Sequence, residues 1–203
     1  MPDRSGSREP ADQPADQPAD PEAVARLICL RLLTAAPRTR AELAAALRRR
    51  RIPAEAAEAV LGRFAEVKFI DDAMFAAAWV ESRHHGRGLA RRALAAELGQ
   101  RGVSRGDIKA AVDRLSPETE LATARALVER KLASTRGLPG PVRARRLAGL
   151  LARKGYSASL SYRVVREALE QDGQNAAAAG LDDDEAVPLG ADERSMAGLD
   201  DIS

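Results

Sequence analysis

Apolar residues recur along the chain with one spacing that occurs three times. Each copy has an apolar i, i+4 pair, then an apolar residue five positions later and another nine positions after that. The copies are Leu43, Leu47, Ile52 and Leu61; Leu94, Leu98, Val103 and Val112; and Leu147, Leu151, Tyr156 and Val165. Because an i, i+4 pair lies on one face of a helix, the pattern predicts a helix, a turn and a second helix in every copy.

A further apolar helix pattern precedes each copy, within residues 24–33, 75–80 and 121–132. No segment alternates apolar and polar residues for long enough to predict a strand. We therefore expect an all-α fold of three tandem three-helix modules, over residues 21–68, 69–115 and 116–172. A module of about 50 residues has a thin core, so neighbouring modules are expected to stack on one another.

Glycines mark two of the predicted helix ends, and the first repeat departs from this rule. Gly102 and Gly155 stand where a helix C-cap favours a left-handed backbone, whereas the corresponding residue of the first repeat is Arg51. A non-glycine residue in that conformation costs on the order of 1 kcal/mol. We therefore expect the helix end at Arg51 to be built differently.

Charge divides the chain into a basic body and two acidic ends. Residues 21–173 contain 29 basic and 17 acidic side chains, although the whole chain has a net charge of only +2. Residues 1–20 and 173–203 lack large apolar side chains in number, so we expect two disordered acidic tails. The C-terminal tail either keeps the protein solvated or folds back on the body and competes with an anionic partner.

The remaining composition favours a soluble, monomeric protein of the reducing cytoplasm. No apolar run is long enough for a membrane span, and the one cysteine, Cys29, lies in an apolar stripe where we expect a buried, inert thiol. Aromatic residues make up 3% of the chain, so base stacking cannot supply much affinity, and Phe64, Phe75 and Trp79 are expected in the core.

Several chemically suggestive residues have structural explanations. His84 and His85 are adjacent on a helix and cannot face one metal ion. Asp71 and Asp72 are expected to form a helix N-cap and a first-turn acid. The segment 86–88 is too short to cradle a phosphate, and we expect a flexible turn there. No nucleophile stands near a base, so we expect neither an enzyme, nor a cofactor, nor a metal site.

Arginine clusters are the candidate partner-binding residues. The second module contributes Arg83, Arg87, Arg91 and Arg92, and the third contributes Arg143, Arg145, Arg146, Arg153 and Lys154. Positive charge near a helix start is mildly unfavourable, so local helix stability does not explain the third-module cluster, and an anionic partner would. For the four arginines at 48–51, the sequence supports two interpretations equally: a solvated helix end and a contact with a partner.

Taken in order, these segments resemble the RecX family. The matching stretches are Ala36-Pro37-Arg38-Thr39-Arg40-Ala41-Glu42-Leu43, Phe69-Ile70-Asp71-Asp72, Ser82-Arg83-His84-His85-Gly86-Arg87-Gly88 and Arg153-Lys154-Gly155-Tyr156. The resemblance implies an elongated, curved array of three-helix modules. It also implies a protein that binds the RecA–DNA filament and lowers the recombinase, ATPase and coprotease activities of RecA, with at most weak non-specific contact to DNA.

Two other functions are compatible with the pattern. Each module has two short helices across a tight turn, which is also found in helix-turn-helix DNA-binding proteins and transcriptional regulators. The basic residues are spread over all three modules, however, rather than focused on one recognition helix. A helical scaffold with no link to nucleic acid is the remaining alternative.

Overall fold

The computed structural model describes residues 20–183, and this part of the chain is all-α, as predicted. It contains nine α-helices and a 3₁₀ turn at Ala133–Thr135. The helices are α1 (Pro21–Ala35), α2 (Arg40–Arg49), α3 (Ala54–Glu66), α4 (Asp72–Arg87), α5 (Arg91–Gln100), α6 (Arg105–Asp113), α7 (Pro117–Leu132), α8 (Gly140–Arg153) and α9 (Ala158–Asp183). Within the described residues, no helix is both long and apolar enough to cross a membrane.

The threefold apolar spacing corresponds to buried positions. The leucine pairs of all three copies are fully buried, and the later residues of each copy are buried or half-buried. Helices α1, α2 and α3 pack on one another around one core, and α4, α5 and α6 pack around a second. Phe64 packs on the first core, and Phe75 and Trp79 pack on the second.

Side chains cap several helices as the sequence predicts. Thr39 and Glu42 form a reciprocal capping box at the start of α2, in which each side chain bonds the other residue's backbone amide. Asp71 caps α4 by accepting a hydrogen bond from the amide of Met74 at 2.9 Å. Cys29 is buried, and burial raises the pKa of its thiol, as expected for an inert cysteine.

The prediction that the helix end at Arg51 is built differently from the other two is wrong. Arg51 has a φ of 59°, and Gly102 and Gly155 have φ values of 77° and 87°, so all three helix ends use the same left-handed residue. A cost of order 1 kcal/mol disfavours arginine there without forbidding it. What requires glycine at the other two positions is space, because an added Cβ at Gly155 would lie 2.6 Å from the backbone nitrogen of Ala93.

The described residues form two compact units, one of residues 20–123 and 153–156 and the other of residues 124–152 and 157–183. The first unit therefore includes the beginning of α7 and the turn after α8. The module boundaries predicted from the sequence do not coincide with this division, and they remain predictions.

The turn after α5 docks on the start of α2, and we call this contact the first joint. Thr39 Oγ1 donates to the carbonyl of Arg101 at 2.7 Å, and the Arg101 guanidinium pairs with Glu42. The amide of Arg40 donates to Asp72 Oδ1 at 2.9 Å, which satisfies a free amide in the first turn of α2.

The turn after α8 docks on the start of α5 in the same way, within the first unit, and we call this contact the second joint. The amide of Ala90 donates to the carbonyl of Lys154 at 2.8 Å. The amide of Arg91, 51 residues after Arg40, donates to Glu120 Oε1 at 3.0 Å. The sequence repeat is thus also a repeat of tertiary contacts.

Helix α9 continues to Asp183, beyond the predicted start of the C-terminal tail at residue 173. Four consecutive alanines, at 176–179, have the highest helix propensity and extend the helix past that boundary. The tail boundary at residue 173, like the module boundaries, remains a prediction. The predicted tail segments 1–19 and 184–203 lie outside the described residues.

Candidate partner-binding surface

Three of the nine predicted partner-binding residues bond to backbone carbonyls or to a buried carboxylate elsewhere in the fold. The Arg91 guanidinium donates to the carbonyl of Leu115 and lies beside Glu120, and Lys154 Nζ donates to the carbonyl of Arg87. Arg143 Nη2 donates to Asp172 Oδ2 at 2.6 Å, and the Arg143 side chain is only 16% exposed. These positive charges stabilise the fold, so the three residues are weaker candidates for contact with a partner.

Arg83 and Arg87 belong to a polar groove around the only tryptophan of the chain, Trp79. The guanidinium carbon of Arg83 lies 4.1 Å from the centre of the Trp79 ring, and that of Arg101 lies 3.8 Å from it. Trp79 Nε1 donates to Glu97 Oε2 at 3.0 Å, and Arg87 pairs with the other oxygen of Glu97 at 3.1 Å.

Arginine over an aromatic face is attracted by the π electrons of the ring and keeps its N–H groups available at the edge. The groove therefore presents oriented guanidinium groups, partly neutralised by Glu42 and Glu97. Arg101 was not among the predicted residues, because no local sequence pattern marks it. Its place in the repeat could have found it, since Arg101 corresponds to Lys154, which was predicted.

The other four predicted residues, Arg92, Arg145, Arg146 and Arg153, are exposed. No carboxylate of the described part of the chain pairs with any of them within 4.0 Å. An exposed arginine without an internal acid keeps its charge for a partner at little desolvation cost. These four positions are the strongest candidates for direct contact.

The segment 86–88 is not a flexible turn. Gly86 and Arg87 complete α4, and Gly88 ends it with a φ of 62°. The carbonyls of the next residues are bonded as well: Tyr156 Oη donates to Gly88 at 3.1 Å, and His84 Nδ1 donates to Leu89 at 2.9 Å. Burial raises the pKa of Tyr156 to about 12, so its hydroxyl stays a donor.

The Arg143–Asp172 pair predicts a pH dependence of stability. Hydrogen bonds from Arg143 and then from Arg136 hold the pKa of Asp172 below its ordinary value of 3.8. A lowered folded-state pKa stabilises the protein above the ordinary value, and this stabilisation is lost as the pH falls through the lowered pKa. We expect Asp172→Asn to remove part of the acid sensitivity of the unfolding midpoint, measured by circular dichroism from about pH 7 to about pH 2.5.

Asp113 provides a matched control for Asp172. Its pKa is also lowered, chiefly by a hydrogen bond from Lys109, but its side chain is 50% exposed whereas that of Asp172 is 10% exposed. Solvent screens an exposed pair, so Asp113→Asn should change the acid sensitivity of the unfolding midpoint less than Asp172→Asn does. Equal effects of the two substitutions would contradict the structural role assigned to Asp172.

Three family models match the chain in order. They are described as the first, second and third three-helix domains of RecX, and they match residues 25–64, 71–112 and 118–165. The first two ranges begin and end close to the helix triplets α1–α3 and α4–α6, whereas the third begins at the start of α7 and ends within α9.

Curated relatives with the name Regulatory protein RecX are similar over most of the chain. The protein from Thermobifida fusca is 64% identical over 176 residues, which is 85% of this chain and 94% of the relative. The protein from Streptomyces coelicolor is 63% identical over 155 residues, 76% of this chain and 82% of the relative. The protein from Mycobacterium ulcerans is 46% identical and covers 71% of this chain and 84% of its own length.

Solved structures agree with these matches. A crystal structure of regulatory protein RecX has a TM-score of 0.66 and 26% identity and covers 73% of each chain. The crystal structure of RecX from Lactobacillus salivarius has a TM-score of 0.68 over 73% of this chain and 97% of its own, and at 17% identity it supports the fold alone. With three ordered domain matches and relatives of this identity, the chain belongs to the RecX family of regulatory proteins.

Proposed function

We propose that the chain is a negative regulator that binds the RecA–DNA nucleoprotein filament and lowers its recombinase, ATPase and coprotease activities. The observation that carries the proposal is that RecX domain models match all three helix triplets in order. In this role the protein regulates DNA repair and the SOS response in the cytoplasm, as a monomer without enzymatic activity or cofactor.

The charge of the described surface supports such a partner. Exposed arginines without internal ion pairs occur on α5 and α8, and further arginines are oriented over Trp79 on α4. A filament that contains DNA offers a dense row of phosphates, and it repeats along its axis as the modules repeat along this chain. An array of modules with basic residues on each can therefore contact several filament subunits at once, which raises the overall affinity.

Purified RecA with single-stranded DNA and ATP tests the proposal. We expect this protein at a few-fold excess over RecA to lower the rate of ATP hydrolysis and of strand exchange. Unchanged rates in both assays would refute the proposed function. Footprinting on duplex DNA separates the helix-turn-helix alternative, since a transcriptional regulator would protect one sequence-specific site.

A further inference from the structure

Four consecutive arginines, Arg48 to Arg51, span the last turn of α2 and the start of the turn that leads to α3, and all four are exposed. We call residues 48–51 the arginine turn. None of its members pairs with a carboxylate of the described residues, and Arg50 Nη1 donates to the carbonyl of Ala46 at 3.2 Å. The turn is therefore a concentrated positive patch on the first module.

The corresponding turns of the second and third repeats dock on other helices. The turn after α5 docks through Arg101 and Gly102 in the first joint, and the turn after α8 docks through Lys154 and Gly155 in the second. Their glycines lie so close to an alanine of the helix they dock on that a Cβ would collide with it. Both turns are contact surfaces between repeats.

The arginine turn has the same backbone conformation but cannot dock in that way. Arg51 carries a Cβ at the position where Gly102 and Gly155 tolerate none, so another module could not approach as closely. The surface that the other repeats use for stacking is therefore open to solvent here and coated with positive charge.

Helix-end electrostatics explain only part of the arginine turn. Positive charge in the last turn of α2 is favoured by the helix dipole, which accounts for Arg48 and Arg49. Arg51 lies beyond the helix, in a left-handed conformation that glycine or asparagine would adopt more easily. A non-glycine residue in such a conformation is a candidate for a functional side chain.

We propose that the arginine turn binds the sugar–phosphate backbone of DNA without reading its sequence. Four adjacent guanidinium groups at the end of a helix point in different directions, which suits successive phosphates better than one fixed group. Interfaces with proteins usually have an apolar or aromatic centre. Among the described residues between 40 and 60, no large apolar side chain is exposed.

This inference deepens the proposed function by naming a surface that touches the DNA of the filament. Its test uses DNA alone, so that failure of RecA inhibition and failure of this site are measured separately. The key variant is Arg51→Gly, because it removes a charge and also relieves the backbone. We expect its melting temperature to rise by about 2 °C while its affinity for DNA falls.

The affinity is measured by fluorescence anisotropy of labelled single-stranded and duplex DNA at several salt concentrations. Loss of one phosphate contact should weaken binding by roughly five- to eightfold at about 0.1 M salt. It should also lower the slope of log affinity against log salt by about 0.7 for single strands or about 0.9 for duplex. In the variant Arg48→Gln/Arg49→Gln/Arg51→Gly, this slope should fall by two to three times as much as in Arg51→Gly.

Matched variants make the outcome decisive. Arg51→Lys keeps the charge and the strained backbone, so its affinity should stay within about twofold of the parent. Arg114→Gln removes one exposed charge at the end of α6 and should change the slope less than Arg51→Gly. Unchanged binding by Arg51→Gly, or equal losses in Arg51→Gly and Arg114→Gln, would overturn the proposal. Competition by polyglutamate as strong as by DNA would overturn the assignment to phosphodiesters.

Discussion

Replacement of Gly155 by alanine is expected to destabilise the protein by about 2–4 kcal/mol, through two separate costs. The first is conformational, since a φ of 87° is unfavourable for alanine by about 1 kcal/mol. The second is steric, because the new methyl group would lie 2.6 Å from the backbone nitrogen of Ala93 and 2.7 Å from its Cβ. Neither atom can move without shifting α5, so the second joint must open.

Two other glycines separate these costs. Gly137 has a φ of 83° but no atom within 4 Å of an added Cβ, so Gly137→Ala should cost about 1 kcal/mol, the conformational part alone. Gly86 lies in α4 with open space around it, and Gly86→Ala should stabilise the helix by about 0.5–1 kcal/mol.

Urea unfolding followed by circular dichroism measures all three variants. If Gly155→Ala lowers the free energy of unfolding by no more than Gly137→Ala does, the close approach of the two repeats at the second joint is refuted. A change in m-value for Gly155→Ala alone would mean that this substitution alters the surface exposed on unfolding or breaks two-state unfolding. Gly102→Ala tests the first joint, where the added Cβ would meet the Cβ of Ala41.

Periodicity was sufficient to predict the fold class and the core. Leu43, Leu94 and Leu147 could be assigned to buried helix faces from spacing alone. Each forms an apolar i, i+4 pair, and the two residues of such a pair lie on the same face of a helix and are buried together. Capping by Thr39 and Asp71 was also predictable, since both side chains bond amides within three residues along the chain.

Contacts between distant residues were not predictable in the same way. Arg143 looked available to a partner because local helix electrostatics do not explain a positive charge there. Its counter-charge, Asp172, lies 29 residues away, and nothing in a helical pattern indicates that the two helices bring them together. For the same reason the sequence could not show that Arg91 is bonded to Glu120 or that Gly155 is required by Ala93.

Reversal of three exposed arginines is expected to have the largest effect on the proposed function. The variant Arg145→Glu/Arg146→Glu/Arg153→Glu should raise the concentration for half-inhibition of the RecA ATPase by about a hundredfold. All three side chains are exposed on α8 and have no described acidic partner, so their charge is directed outward. Like charges brought together at an interface cost several kcal/mol, which corresponds to that factor.

Loss of folding cannot account for such a result. Residues 145 and 146 lie in the second turn of α8, where the helix dipole has little effect, whereas a glutamate at 153 lies at the negative end and costs about 0.3–1 kcal/mol. We therefore expect the melting temperature to change by only about 2–4 °C or less. Reversal of Arg143 should instead lower the melting temperature, because it places two carboxylates together at Asp172.

A control variant with the same change in charge distinguishes a binding surface from general attraction. Arg26, Arg31 and Arg63 are exposed in the first module and belong to no predicted cluster, so their reversal to glutamate alters the net charge equally. If inhibition depends on the α8 surface, this variant should inhibit RecA within about threefold of the parent at about 0.15 M salt, where distant charges are screened. Equal loss of inhibition in the two triple variants would mean that net charge alone attracts the protein to the filament, and the assignment of Arg145, Arg146 and Arg153 to the interface would fail.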